Sequence, residues 1–128
     1  MTKKDPRIPE KYQTLMTYLI VKDAQGFIRF MEDIFDAKEI YKQMRDEQNI
    51  RHAELIVGDC TIMLADATPE FPVAVGGFFI FVEDVDKTYA KALEKGSKLV
   101  MEIMNQDYGR MGGIEDPFGN TWWITSPL

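Results

Sequence analysis

At 128 residues, with 45% hydrophobic and 28% charged side chains, the chain has the make-up of one globular domain large enough to bury a core. A net charge of −6 and a pI near 4.8 exclude nucleic acid as the expected partner, because phosphate binding needs clustered Lys and Arg. One cysteine, Cys60, excludes an intrachain disulfide, and no run approaches the roughly 18 apolar residues of a membrane span.

Residues 1–13 are polar, carry Pro6 and Pro9, and read as an extended arm without the apolar segment of a signal peptide. With the lone cysteine, this points to the cytoplasm. Leu15 to Val21 (LMTYLIV) is apolar on both faces and predicts a strand buried on both. Asp23 then caps a helix in which Phe27, Phe30, Met31, Ile34 and Phe35 fall at helical spacing, ending near Asp36. Three strands are expected next, over 37–45, 50–57 and 60–65, the last entered through a Gly58-Asp59 turn. Cys60 reads as a small buried hydrophobe. A loop with Pro69 and Pro72 leads to Gly76-Gly77.

The order then repeats. Phe78 to Val82 predicts a strand, and Asp84 caps a second helix with Val85, Tyr89, Ala92 and Leu93 on its apolar stripe and Gly96 at its end. Strands follow over 98–105, 110–115 and 120–125. Aligning Val21–Asp23 with Val82–Asp84 sets an offset of 82 − 21 = 61, which carries Glu54 onto Glu115 and Gly58 onto Gly119. The chain is therefore expected to be α+β: two tandem βαβββ modules, residues 14–66 and 76–126, forming a curved mixed sheet around a concave cleft with the helices on the outer face. Together they make a single domain, 14–126, whose concave side is the natural pocket.

This duplicated unit, with V-x-D opening each helix and D-P-F-G-N-x-W-W near the C-terminus, resembles the glyoxalase/bleomycin-resistance/extradiol-dioxygenase superfamily, the vicinal oxygen chelate (VOC) fold. The segments YLIVKDA, HAEL, MLAD, VEDVD and DPFGNTWW resemble its PhnB-like subgroup. The resemblance covers residues 14–126 and implies the fold. It leaves the activity open among lyases, isomerases, dioxygenases, transferases and non-catalytic drug binders.

Metal-using members carry His, Glu or Gln on the first and last strand of each module. Carried over by the repeat, those positions are Met16, Ile62, Gly77 and Trp123. None is a competent ligand for a hard or borderline divalent ion, so a metal is disfavoured and no cofactor is expected. Trp123 is then expected to face the cavity, with Trp122 in the core.

In IRHAELIV, Ala53, Leu55 and Val57 should face the helix, leaving His52, Glu54 and Ile56 on the concave side. His52 and Glu54 share a face and are candidates for general acid–base work; the competing readings are a structural pair and, with the repeat mate Glu115, a disfavoured three-donor metal set. Asn105 to Gly113 reads as a loop whose glycines allow mobility. A similar loop lies at the cavity mouth in the PhnB-like subgroup it resembles, which implies that Gln106, Tyr108 and Arg110 could bind a ligand there and that Arg110 could hold an anionic group. Arg45, by offset the mate of Gln106, shares that role, and Tyr18 and Phe71 add possible aromatic lining.

The expected function is a metal-independent small-molecule binder with an aromatic-lined cleft, the small molecule being its partner. The resemblance implies a homodimer as its assembly. A metal-dependent lyase, isomerase or dioxygenase, and a protein acting through association alone, stand as alternatives.

Overall fold

In the computed structural model, which describes residues 4–128, the chain forms two compact units, the first ending at Ala74 and the second beginning at Val75. Each has the expected βαβββ order. The first holds β1 (Tyr18–Val21), α1 (Ala24–Phe35), β2 (Lys38–Met44), β3 (Ile50–Val57) and β4 (Cys60–Asp66). The second holds β5 (Gly77–Phe81), α2 (Val85–Glu94), β6 (Lys98–Gln106), β7 (Gly109–Glu115) and β8 (Thr121–Ser126). Their four-stranded sheets run β1-β4-β3-β2 and β5-β8-β7-β6. In each, the outer strand before the helix pairs parallel with the last strand and the other pairs are antiparallel.

Period-2 alternation sorts each sheet into a helix-covered face and a helix-free face. Under α1, Phe27, Ile28 and Met31 pack with Leu19, Val21, Ala53, Leu55 and Leu64, all essentially without solvent contact. Under α2, Val85, Tyr89 and Ala92 cover Ile114, Trp122 and Ile124.

A matching hydrogen bond fixes where each helix begins. Asp66 Oδ1, at the end of β4, accepts the Ala24 N–H at 2.9 Å, while its Oδ2 accepts the Ile50 N–H at 2.6 Å. Ser126 Oγ, at the end of β8, accepts the Val85 N–H at 2.7 Å and donates to the Val82 carbonyl at 3.1 Å. Each bond satisfies an N–H that the first helical turn leaves without a partner. Ala24 and Val85 are 85 − 24 = 61 apart, but Asp66 and Ser126 are 126 − 66 = 60 apart. The repeat loses one residue between the helix and its last strand.

Three expectations need correction. The first strand starts at Tyr18, not Leu15, and is buried only through Leu19 and Val21; Leu15 is 88% exposed because no strand partner covers it. Cys60 is exposed at the start of β4, directly after the tight Gly58-Asp59 turn, with its thiol 3.5 Å from Asp59 Oδ1. The segment from Asn105 to Gly113 is not a loop: β6 and β7 run on until only Asp107 and Tyr108 connect them.

Candidate functional site

The two helix-free faces differ in chemistry. That of the second unit is aromatic. Trp123 on β8 pairs with Phe79 on β5 and with Gly113 on β7. Its ring lies across Gly113 so closely that a β-carbon there would stand 2.6 Å from Cζ3 and 2.8 Å from Cε3. On the opposite face Gly112 is filled in the same way by the Tyr89 ring of α2, with a β-carbon meeting Cδ2 at 2.8 Å. The Gly112-Gly113 pair thus admits one aromatic ring on each side of the sheet.

Phe79 continues the cluster. Its ring centroid is 5.3 Å from that of Phe81 and 5.8 Å from that of Tyr108. The Tyr108 hydroxyl donates to Met111 Sδ at 3.4 Å, which holds the phenol against this face. Phe79, Phe81 and Tyr108 are 50%, 60% and 52% exposed, while Trp123 is half-buried. Large aromatic area left to solvent on one face marks an interaction surface rather than a core. Gln106 shares this face through its pairing with Gly109.

Arg110 is on the other face. It pairs with Ser126, and its guanidinium grips Asp86 of α2 through Nε and Nη2, both at 2.9 Å, with Nη1 donating to Asn105 at 3.2 Å. That ion pair lowers the Asp86 pKa and raises that of Arg110. The guanidinium is therefore committed to the helix side and does not join Trp123. Arg45 is exposed beyond the end of β2, and Phe71 is exposed in the loop after β4.

The neighbouring tryptophans take opposite roles, as strand alternation requires. Trp122 is 2% exposed, stacked on Phe78 with centroids 4.5 Å apart, and its Nε1–H donates to Asp116 Oδ2 at 2.8 Å. Asp116 itself is buried, and its Oδ1 accepts the backbone N–H groups of Phe118 and Asn120, both at 2.9 Å. The DPFGN turn therefore does two jobs. It reverses the chain, with Gly119 at φ 100°, and it supplies the acceptor that seats Trp122 and so directs Trp123 outward.

On the helix-free face of the first unit the groups are polar and serially hydrogen-bonded. The Tyr18 hydroxyl is 2.8 Å from His52 Nδ1, and His52 Nε2 is 2.8 Å from Glu54 Oε2. The same Glu54 oxygen accepts the Tyr12 O–H at 2.7 Å, and Oε1 faces Lys11 Nζ at 3.4 Å. Glu54 is 3% exposed because the end of the arm lies over it. Thr61 fastens that segment, its N–H donating to Gln13 Oε1 at 2.9 Å and its hydroxyl to the Lys11 carbonyl. Burial pushes the Glu54 carboxyl up, but hydrogen bonds from Tyr12, His52 and Lys11 outweigh this and hold it below the usual glutamate value. Burial and the Glu54 charge both raise the Tyr18 phenol.

The positions that hold metal ligands in metal-using relatives of this fold can be placed by register. Gly77 and Trp123 lie on the helix-free face of the second sheet. Met16 precedes β1 by two residues, in phase with Tyr18. Ile62 does not belong with them. It pairs with Leu55 beneath α1 and is 7% exposed. Because β4 and β8 are offset by 60, the mate of Trp123 is Met63, whose partner Tyr18 is 61 residues before the Phe79 that pairs with Trp123. The corrected set is Met16, Met63, Gly77 and Trp123, which offers two thioethers and no nitrogen or carboxylate ligand. It does not fit a divalent metal of the kind such sites use. Among the described residues, no three His, Cys, Asp or Glu side chains converge elsewhere.

Sequence reading missed Phe79, Phe81, Gly113, Tyr12 and Lys11. Alternation along FFIFV, carried through to its exposed half, would have found the two phenylalanines. Nothing in the polar arm marks Tyr12 or Lys11 as partners of Glu54.

The sequence matches the family described as the Glyoxalase/Bleomycin resistance protein/Dioxygenase superfamily over residues 13–124. It is 32% identical to an uncharacterized protein of Mycobacterium bovis, over 89% of this chain and 83% of that one. Among solved structures, TioX from Micromonospora sp. ML1 superposes with a TM-score of 0.72 at 20% identity, covering 91% of this chain and 99% of that one. TnmS3, described as an antibiotic binding protein from Streptomyces sp. CB03234, superposes with a TM-score of 0.69 at 20% identity, covering 91% and 100%. At that identity these two structures share the fold. The chain belongs to the glyoxalase/bleomycin resistance protein/dioxygenase superfamily.

Proposed function

We propose that this member of the superfamily is a small-molecule-binding protein that holds a planar, largely apolar ligand on the helix-free face of its second sheet without a divalent metal. The observation that carries the reading is Trp123 spread over Gly113 beside three half-exposed aromatic rings. Such a surface binds by area and stacking, with ring pairs contributing roughly 0.5–1.5 kcal/mol each beyond burial. The donor-poor set Met16, Met63, Gly77 and Trp123 favours binding over the metal-dependent lyase, isomerase or dioxygenase chemistry of the same superfamily, which needs a Lewis acid. The similarity to TnmS3, an antibiotic binding protein, is in keeping with that choice. Within the superfamily we place the chain with the PhnB-like subgroup, on its HAEL and DPFGNTWW segments.

Titration with acridine, a planar aromatic probe, tests the reading. Affinity is expected to be the same after exhaustive chelation and after addition of Mn, Ni or Zn. Binding that appears only with metal would contradict it.

A further inference from the structure

We infer that Tyr18 is the ligand-contacting end of the Tyr18–His52–Glu54 chain, and that it is a hydrogen-bond subsite whose polarity follows the protonation of His52. This goes beyond the aromatic face of the second unit and does not depend on it. Both imidazole nitrogens are occupied, Nδ1 by Tyr18 and Nε2 by Glu54. His52 therefore hydrogen-bonds to a ligand only through the hydroxyl of Tyr18, a residue that is 47% exposed.

The direction of each bond follows from Glu54. An ionised carboxylate only accepts, so Oε2 takes the Tyr12 O–H and the His52 Nε2–H together. In the neutral imidazole Nδ1 is then the acceptor, and Tyr18 must point its proton at it. The phenol oxygen is left with free lone pairs and no proton for a ligand. In this state the subsite takes a donor, a hydroxyl or an amine.

When the imidazole takes its second proton, Nδ1 becomes a donor. The Tyr18 oxygen then accepts from it and turns its own O–H outward. The subsite now takes an acceptor, a carbonyl or an ether. His52 meets Tyr18 from β1, Tyr41 and its register partner Gln43 from β2, and Glu54 on β3; Tyr12 and Lys11 from the arm and Met63 of β4 meet Glu54 next to it. Of these, Glu54 is held below the usual glutamate value by its hydrogen bonds, so it stays ionised across the range where imidazoles titrate, about pH 5 to 8. The switch therefore belongs to His52.

Because His52 is the chain's one histidine, its ring signals are unambiguous. The experiment is a magnetic-resonance titration with phenol, which donates, and anisole, which only accepts, following the Tyr18 and His52 ring resonances of the labelled full chain. At about pH 8, phenol is expected to bind roughly tenfold more tightly than anisole, and at about pH 5 that preference should vanish. Tyr18→Phe, which removes one oxygen, should abolish the preference at about pH 8 and leave none at either pH. Long-range nitrogen couplings should show the proton on Nε2 at the higher pH. A preference that ignores pH, one that survives in Tyr18→Phe, a proton on Nδ1, or no response of these rings to either probe would each overturn the proposal. None of these readouts involves Trp123, so failure here is distinguishable from failure of the aromatic-face reading.

Discussion

The ring of Trp123 lies against the backbone of Gly113, leaving no room for a β-carbon there. Gly113→Ala is therefore expected to lift the indole off the sheet and lower stability by about 1–3 kcal/mol, the usual range for an added methyl group in a packed site. Chemical denaturation followed by tryptophan fluorescence checks this. An unchanged midpoint with an unchanged emission spectrum would show that the ring does not rest there.

Asp116 receives the Trp122 indole N–H and two backbone N–H groups inside a buried turn. Asp116→Ala leaves these donors without an acceptor. A loss of about 2–4 kcal/mol is expected, since buried donors left unsatisfied cost about 1–3 kcal/mol each. Asp116→Asn, which keeps an acceptor oxygen, should recover part of it. Urea unfolding of the two variants measures the difference.

Glu54 gives the protein a pH-dependent stability. Its folded-state carboxyl titrates below the ordinary glutamate value of about 4.3. Ionised Glu54 thus contributes stability that is complete above that value and is lost as pH falls through the lowered folded value. Glu54→Gln should weaken the protein by about 1–3 kcal/mol at neutral pH and by less in acid, so the two stability curves converge as pH drops. Parallel curves would remove Glu54 from the acid response.

Asp66 ties the first turn of α1 to the start of β3. Asp66→Ala should destabilise by roughly 2–4 kcal/mol, and the Ala24 and Ile50 amides should lose hydrogen-exchange protection before those of β8 do. Ser126→Ala, which removes the equivalent bond to Val85, is a neutral-acceptor case and should cost less, about 1 kcal/mol.

Much of this was legible in the sequence because it is periodic. The spacing of Phe27, Met31 and Ile34 marks α1, and the alternation in IRHAELIV places Ala53 and Leu55 under the helix and His52 and Glu54 on the far side. The repeat itself was legible through VKD and VED. What escaped was anything a single shifted residue controls. An ungapped offset of 61 makes Ile62 the repeat equivalent of Trp123, whereas the one-residue slip seen at Asp66 and Ser126 makes Met63 its equivalent, and in a strand one residue exchanges faces. Arg110 was misjudged for a different reason: read as a loop residue it is free to reach a ligand, but as a strand residue its side is fixed and meets Asp86. The cover over Glu54 comes from Lys11 and Tyr12, which no local pattern connects to a strand more than forty residues away.

The central claim is that Trp123 is the stacking platform of a binding face. The most direct measurement is the affinity of acridine for the intact chain and for Trp123→Ala, taken by calorimetry beside the melting temperature of each. The account requires binding to weaken at least about tenfold, as loss of a stacking anchor does, while the Trp122 core keeps the variant folded. A folded Trp123→Ala protein that binds acridine as tightly as the parent would contradict it.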